Sequence, residues 1–240
     1  MAAGGPEVST RDKVAIVTAG SSGIGAGIVR ALADDHRVVV LARSEGVDRI
    51  AAEVDGIAVR GSVTDRADLA RAVDAAKELG RIDTVVINTG HPPKGDLLDL
   101  TDDDWELGLD LIFRSAIHLV SLVTPVFLEQ RRGSVVAVTS YASQVPELVM
   151  PVSSVLRAAL QNWIKLYATR YGADGIRANS VLPGFIATHP VDPDRLASIP
   201  AGRYADPLEL GRVVAFLASD AASFVSGQNI TVDGGMVAVP

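Results

Sequence analysis

Between a β-branched run and a helical segment the chain reads Thr18-Ala19-Gly20-Ser21-Ser22-Gly23-Ile24-Gly25. The chemistry open to such a strand-to-helix turn is to hold a dinucleotide. Glycine lets the main chain approach a pyrophosphate, and free amides with the dipole at the helix start favour its negative charge. Gly20, Ser21, Ser22, Gly23, Ile24 and Gly25 are therefore the expected phosphate cradle. Residues suited to proton transfer near neutrality also occur in loops, at His91 and His189. The absence of cysteine removes a thiolate nucleophile, cysteine-ligated zinc and a disulfide framework. Acidic residues show no paired-carboxylate signature, and His36 and His118 lack metal-ligand spacing, so no metal site is expected.

The elements that must position the turn are short apolar runs alternating with helical-period segments. Strands are expected at 13–18, 37–42, 57–60, 83–88, 134–139, 176–181 and 228–232. They are continuous runs, not in-out alternations, as required when both faces of a sheet are covered. The fold class is α/β: a doubly wound Rossmann fold with a seven-stranded parallel sheet flanked by helices. Residues 12–240 read as a single domain behind a flexible tail at 1–11, and residues 183–207, with five of the chain's 12 prolines, read as a loop or lid over a site. A helix from about 102 to 131 has Thr101 as N-cap and Asp102, Asp103 and Asp104 in its first turn. Its polar Asp110, Arg114 and His118 recur every four residues, as do Trp163, Tyr167 and Tyr171 in the segment 152–171. Either segment fits core packing or a subunit interface.

With 240 residues, 48% hydrophobic, and a mean hydropathy of +0.27, the chain is set up to bury a core. Its net charge of −7 argues against a nucleic-acid partner. The longest apolar stretch, 107–128, is interrupted by Asp110, Arg114 and His118, so no membrane span is expected. No signal pattern opens the chain, and a cytoplasmic location is expected.

The turn resembles the TGxxxGxG fingerprint of the short-chain dehydrogenase/reductase family, with Ala19 where the first glycine usually stands. Asn88-Thr89-Gly90 is similar to the end of the family's NNAG motif, with Ile87 in place of its first asparagine. Pro183-Gly184-Phe185-Ile186-Ala187-Thr188 resembles the PGxxxT segment that touches the nicotinamide carboxamide, and Val232-Asp233-Gly234-Gly235 matches the usual ending. The resemblance thus implies a cofactor site that includes Asn88, Thr89, Gly90, Pro183, Gly184, Ile186 and Thr188. NAD-preferring members carry an acidic residue at the end of the second strand. Here Ala42 occupies that position beside Arg43, whose planar fork suits a 2′-phosphate, so the resemblance implies NADP(H) over NAD(H). Ser62-Val63 takes the place of the Asp-Val adenine contact.

Family members move hydride between a carbonyl and an alcohol with a Ser, Tyr, Lys and Asn set. Ser140 matches the serine, but the resemblance places Ser153 at the tyrosine, Arg157 at the lysine and Ile112 at the asparagine. A serine hydroxyl is a poor general acid near neutrality. Arg157 retains positive charge that could bind the nicotinamide ribose, but does not readily release a proton. Tyr141, directly after Ser140, is an alternative donor provided that a cation such as Arg157 lowers its pKa, whereas Glu147 reads as a surface charge. The catalytic set is thus Ser140, Tyr141, Ser153 and Arg157. The reading is an NADP(H)-dependent oxidoreductase with altered acid/base residues, acting on a small or carrier-bound carbonyl such as a 3-oxoacyl or polyketide-type group. The alternatives are a non-redox isomerase, cyclase or lyase, or a nucleotide-binding non-catalytic subunit on the same fold. A homodimer or homotetramer is expected from the family.

Overall fold

The computed structural model describes residues 11–188 and 190–238. The tail expected at 1–11 therefore lies outside the described residues except for Arg11, and so does His189. Seven parallel strands form one sheet in the order β3-β2-β1-β4-β5-β6-β7. They are β1 (Lys13–Thr18), β2 (His36–Ala42), β3 (Ile57–Arg60), β4 (Thr84–Ile87), β5 (Gly133–Val138), β6 (Ile176–Pro183) and β7 (Asn229–Val232). Successive strands diverge to either side of β1, which pairs with β2 through Val17↔Val40 and with β4 through Val17↔Val86. The crevice at the carboxyl ends of β1 and β4 is the topological switch point, where ligands of open α/β sheets bind.

The apolar runs are continuous because each strand feeds two cores. Val14, Ile16, Val85, Val135 and Ala137 face one helical layer, formed by α3 (Arg66–Glu78), α5 (Ser115–Gln130) and α6 (Pro151–Tyr171). Ala15, Val17, Val86, Val136 and Val138 face the other, formed by α1 (Gly23–Leu32), α2 (Gly46–Glu53) and α8 (Pro207–Ala218). Helices α1 and α8 meet through glycines: a Cβ on Gly27 would lie 2.4 Å from the Pro207 carbonyl, and one on Gly211 would lie 2.4 Å from the Gly27 oxygen.

The helix expected at 102–131 is present but not uniform. Thr101 and Asp104 form a reciprocal capping box at the start of α4 (Asp102–Gly108), a π turn runs through Leu109–Arg114, and α5 continues to Gln130. Arg131 then ends the helix in the left-handed region, at φ 51°. The expectation that charges interrupt this stretch too often for a membrane span needs correction. By length and composition alone, residues 102–130 are apolar enough to cross a bilayer, with a mean hydropathy of 1.8 in the best window. In the fold this helix covers the sheet, with Ile112, Ala116, Leu119, Val123 and Phe127 all buried. The aromatic ladder of α6 packs within the chain: Trp163 stacks on Tyr167 at 5.5 Å, and the Tyr167 hydroxyl is bonded to Thr124 on α5 at 2.8 Å. Within the described residues of 183–207, expected as a loop or lid, the short α7 (Pro193–Ala197) is helical.

Candidate active site

Thr18 ends β1 by locking it to the end of β4. Its hydroxyl donates to the Asn88 carbonyl at 2.7 Å and accepts from the Asn88 amide at 2.9 Å, while Asn88 Nδ2 donates to the Ala19 carbonyl at 3.2 Å. Ala19 then takes φ 48°, a conformation that glycine adopts without steric cost, which is the physical reason the family's pattern has glycine there. Gly25 sits so close beneath the turn that a Cβ would lie 2.2 Å from the Ala19 oxygen and 2.8 Å from Gly20 Cα. On Gly20, a Cβ would meet Val40 Cγ1 at 2.5 Å. Helix α1 starts at Gly23 behind Ser22, whose side chain makes no capping bond, and among the described residues no side chain accepts from the amides of Gly23, Ile24 and Gly25. Gly23 itself has φ 51°, and Thr188 Cγ2 would be 3.1 Å from a Cβ there, which lays the 183–188 segment over the turn.

Around this cradle, the Ser44 hydroxyl donates to Ser21 Oγ at 2.9 Å, and the neighbouring Arg43 is exposed at the carboxyl end of β2. Ser62 follows β3 with its amide on Asp68 Oδ2 at 2.7 Å and its hydroxyl bonded to Thr64 at 2.8 Å, and Val63 is buried. Gly90 lies open, since a Cβ there would meet nothing within 4 Å. Pro183 closes β6, the Gly184 amide donates to Val232 O at 3.0 Å, and buried Ile186 bridges to Ala205, which folds the segment back on itself. Glycines without room for a side chain and amides that the N-cap side chain leaves open are what the pyrophosphate of a dinucleotide needs, so these residues fit one.

The guanidinium of Arg157 ties the strand ends to α6. Nη1 donates to the carbonyls of Val138 at 2.7 Å and Thr139 at 3.2 Å, Nη2 to Thr89 Oγ1 at 3.4 Å, and Nε to Ser153 Oγ at 3.2 Å. Both Arg157 and Ser153 are buried, and none of these acceptors is a carboxylate. Burial pulls the Arg157 pKa down to about 10, still well above neutrality, so it stays a cation. Ser140 begins a single 3-10 turn, with its Oγ accepting the Ala142 amide at 3.1 Å. Val138, Thr139, Ser153, Arg157 and Thr89 are thus one hydrogen-bonded group, and Ser140 follows Thr139 in the chain.

Tyr141 behaves differently from the sequence expectation. Its hydroxyl donates to Glu147, and burial followed by that carboxylate pushes its pKa well up, the reverse of the lowering sought from Arg157. The cation that acts on Tyr141 is Arg195, not Arg157, whose guanidinium is bonded to Val138, Thr139, Ser153 and Thr89. Glu147 in turn is not a plain surface charge: with Tyr141, Phe185 and Arg195 it lines a cavity of about 630 Å³. The signal for it was weak, because two side chains six apart in an irregular loop follow no helical or strand period. Ile112 lies fully buried in the π turn and offers nothing to the site. His91 is exposed after the Asn88-Thr89-Gly90 turn. Among the described residues no cluster of three His, Asp or Glu side chains could hold a metal ion.

The chain is similar to known oxidoreductases. Residues 18–237 match the family model described as enoyl-(acyl carrier protein) reductase. Oxidoreductase UcpA of Salmonella typhimurium is 32% identical across 93% of this chain and 94% of its own length. A 3-oxoacyl-[acyl-carrier-protein] reductase FabG of Thermotoga maritima is 30% identical across 94% of this chain and 98% of its own. Cis-4-hydroxycyclohexanecarboxylate dehydrogenase of Sinomonas cyclohexanicum is 35% identical across 95% of this chain and 98% of its own.

Proposed function

The chain belongs to the short-chain dehydrogenase/reductase family of oxidoreductases, and from that premise we propose that it interconverts a carbonyl and an alcohol with NADP(H), using a rebuilt acid/base set. The observation that carries this reading is the Ser153–Arg157 pair, a hydroxyl with a cation directly behind it. Because Ser153 Oγ accepts from Arg157 Nε and Ser140 Oγ accepts from the Ala142 amide, each keeps its own O–H for donation to a substrate oxygen. Arg157 adds positive charge where negative charge develops on that oxygen, in a site shielded from water. A bound dinucleotide supplies or accepts the hydride. The amides of Gly23, Ile24 and Gly25 would hold its pyrophosphate, Arg43 its 2′-phosphate, and Arg157 with Thr89 its nicotinamide ribose.

The relatives' activities set the first substrates to try: 3-oxoacyl carbonyls, including carrier-bound ones, then cyclic secondary alcohols. The test is stereospecific deuteride transfer from labelled NADPH across that panel. No transfer to any member refutes the reading. Burial of Ile112, together with serine at 153, favours as second reading a non-redox isomerase, cyclase or lyase. The same assay separates it, since it predicts turnover without NADPH consumption. Binding with no turnover at all marks a non-catalytic subunit. The exposed Leu107, Val155 and Leu166 on the two long helices support an even-numbered homo-oligomer, which light scattering checks.

A further inference from the structure

Position 153 lacks the phenol with which a proton would reach the substrate oxygen, yet a phenol and a carboxylate stand together on the wall of the adjoining cavity. We propose that Tyr141 and Glu147 form a proton relay for the substrate oxygen, with Tyr141 in contact with it and Glu147 acting through Tyr141. This rests on the oxidoreductase reading above.

Three features place the pair. Tyr141 directly follows Ser140, and its hydroxyl donates to the Glu147 carboxylate. The Glu147 amide donates to Ser154 Oγ at 3.3 Å, which ties the Glu147 backbone to the start of α6, one residue from Ser153. Both side chains line the cavity of about 630 Å³, a size that suits a small organic substrate. The Tyr141 ring is held edge-on to Phe185 at 5.6 Å, and Phe185 is itself stacked with Tyr204 at 5.4 Å and covered by the Arg195 guanidinium at 5.0 Å. Among the described residues, the charged and titratable groups facing the pair are Arg195 and Asp194 on α7, and Tyr204.

The direction of the hydrogen bond sets the chemistry. In alcohol oxidation the carbinol O–H gives its proton to Tyr141 Oη while the Tyr141 proton passes to Glu147. The C–H bond breaks as hydride leaves for the oxidised dinucleotide, and the C=O bond forms. The products are a carbonyl, the reduced dinucleotide and a neutral Glu147 acid, and reduction runs the same steps backwards. Tyr141 carries a proton through without accumulating as phenolate, so its raised pKa is no obstacle.

The experiment compares wild type, Tyr141→Phe, Glu147→Gln and Glu147→Asp in the full chain with NADP, and follows kcat/KM for the alcohol against pH. Glu147→Gln and Tyr141→Phe are expected to lose about 100-fold, the range of a positioned acid/base group. Glu147→Gln should also lose the acid limb of the profile, while Glu147→Asp keeps that limb. In the dinucleotide-free protein, ultraviolet difference titration should show one tyrosine ionising at lower pH in Glu147→Gln, and that tyrosine missing in Tyr141→Phe. Rates within about threefold of wild type with a superimposable pH profile overturn the relay but leave the oxidoreductase reading intact. No deuteride transfer by wild type overturns both.

Discussion

Arg157→Lys tests whether the buried guanidinium is a structural tie as well as a charge. The side chain makes four hydrogen bonds, at 2.7 and 3.2 Å to the Val138 and Thr139 carbonyls, 3.2 Å to Ser153 and 3.4 Å to Thr89. They link α6 to the ends of β4 and β5. Lysine preserves the charge but concentrates its donors at one point, which reaches the adjacent β5 carbonyls or the Ser153 and Thr89 hydroxyls, not all four. Two bonds to a cation are then lost, each contributing roughly 1.5–3 kcal/mol, and the 3.4 Å length of one puts the total near the lower bound, about 3 kcal/mol. For a domain of this size that is a fall in melting temperature of roughly 6–12 °C. Calorimetry without dinucleotide reads the effect apart from any role in binding. A change below about 2 °C would refute the claim that the fork holds these strand ends together.

Three further outcomes follow from particular residues. Ala19→Gly relieves a left-handed alanine at φ 48° and is expected to stabilise the fold by about 0.5–1 kcal/mol, after the entropy cost of glycine, in urea titration. Arg43→Ala should weaken NADPH at least about tenfold in calorimetric titration while leaving NADH unchanged, and equal losses for both would remove the 2′-phosphate assignment. His36 is buried, and desolvation followed by Lys13 holds its pKa below the usual value. Protonation therefore favours the unfolded chain. Its stabilising contribution is complete above pH about 6.5 and declines as pH falls below that, at up to about 1.4 kcal/mol per unit. Urea midpoints should drop more steeply between pH 7.5 and 5 in wild type than in His36→Gln.

The sheet was legible because burial on both faces leaves little freedom of composition: the runs at 13–18 and 57–60 are strands with those bounds. The run at 83–88 shortens to Thr84–Ile87 for a local reason. Asp83 turns its carboxylate to the Val14 amide and Arg81, and Asn88 commits its amide to Thr18. The glycine turn was readable because each tight approach excludes a side chain. The Tyr141–Glu147 contact was not, since it joins two loop positions that no period relates. Arg157 was located by the resemblance, but its reach to two strand ends depends on the depth at which α6 packs, which only the folded chain sets.

The π turn at Leu109–Arg114 has a mechanical consequence. An inserted residue rotates everything beyond it by about 100° relative to an uninterrupted helix. Gly108 on one side is pressed to α6, where a Cβ would meet Val152 at 2.2 Å, while Leu119, Val123 and Phe127 on the other grip the sheet. Deleting one residue would straighten the rod and swing one of those two contacts into solvent. The widened coil, with buried Ile112 in its middle, is therefore held from both ends like a torsion bar.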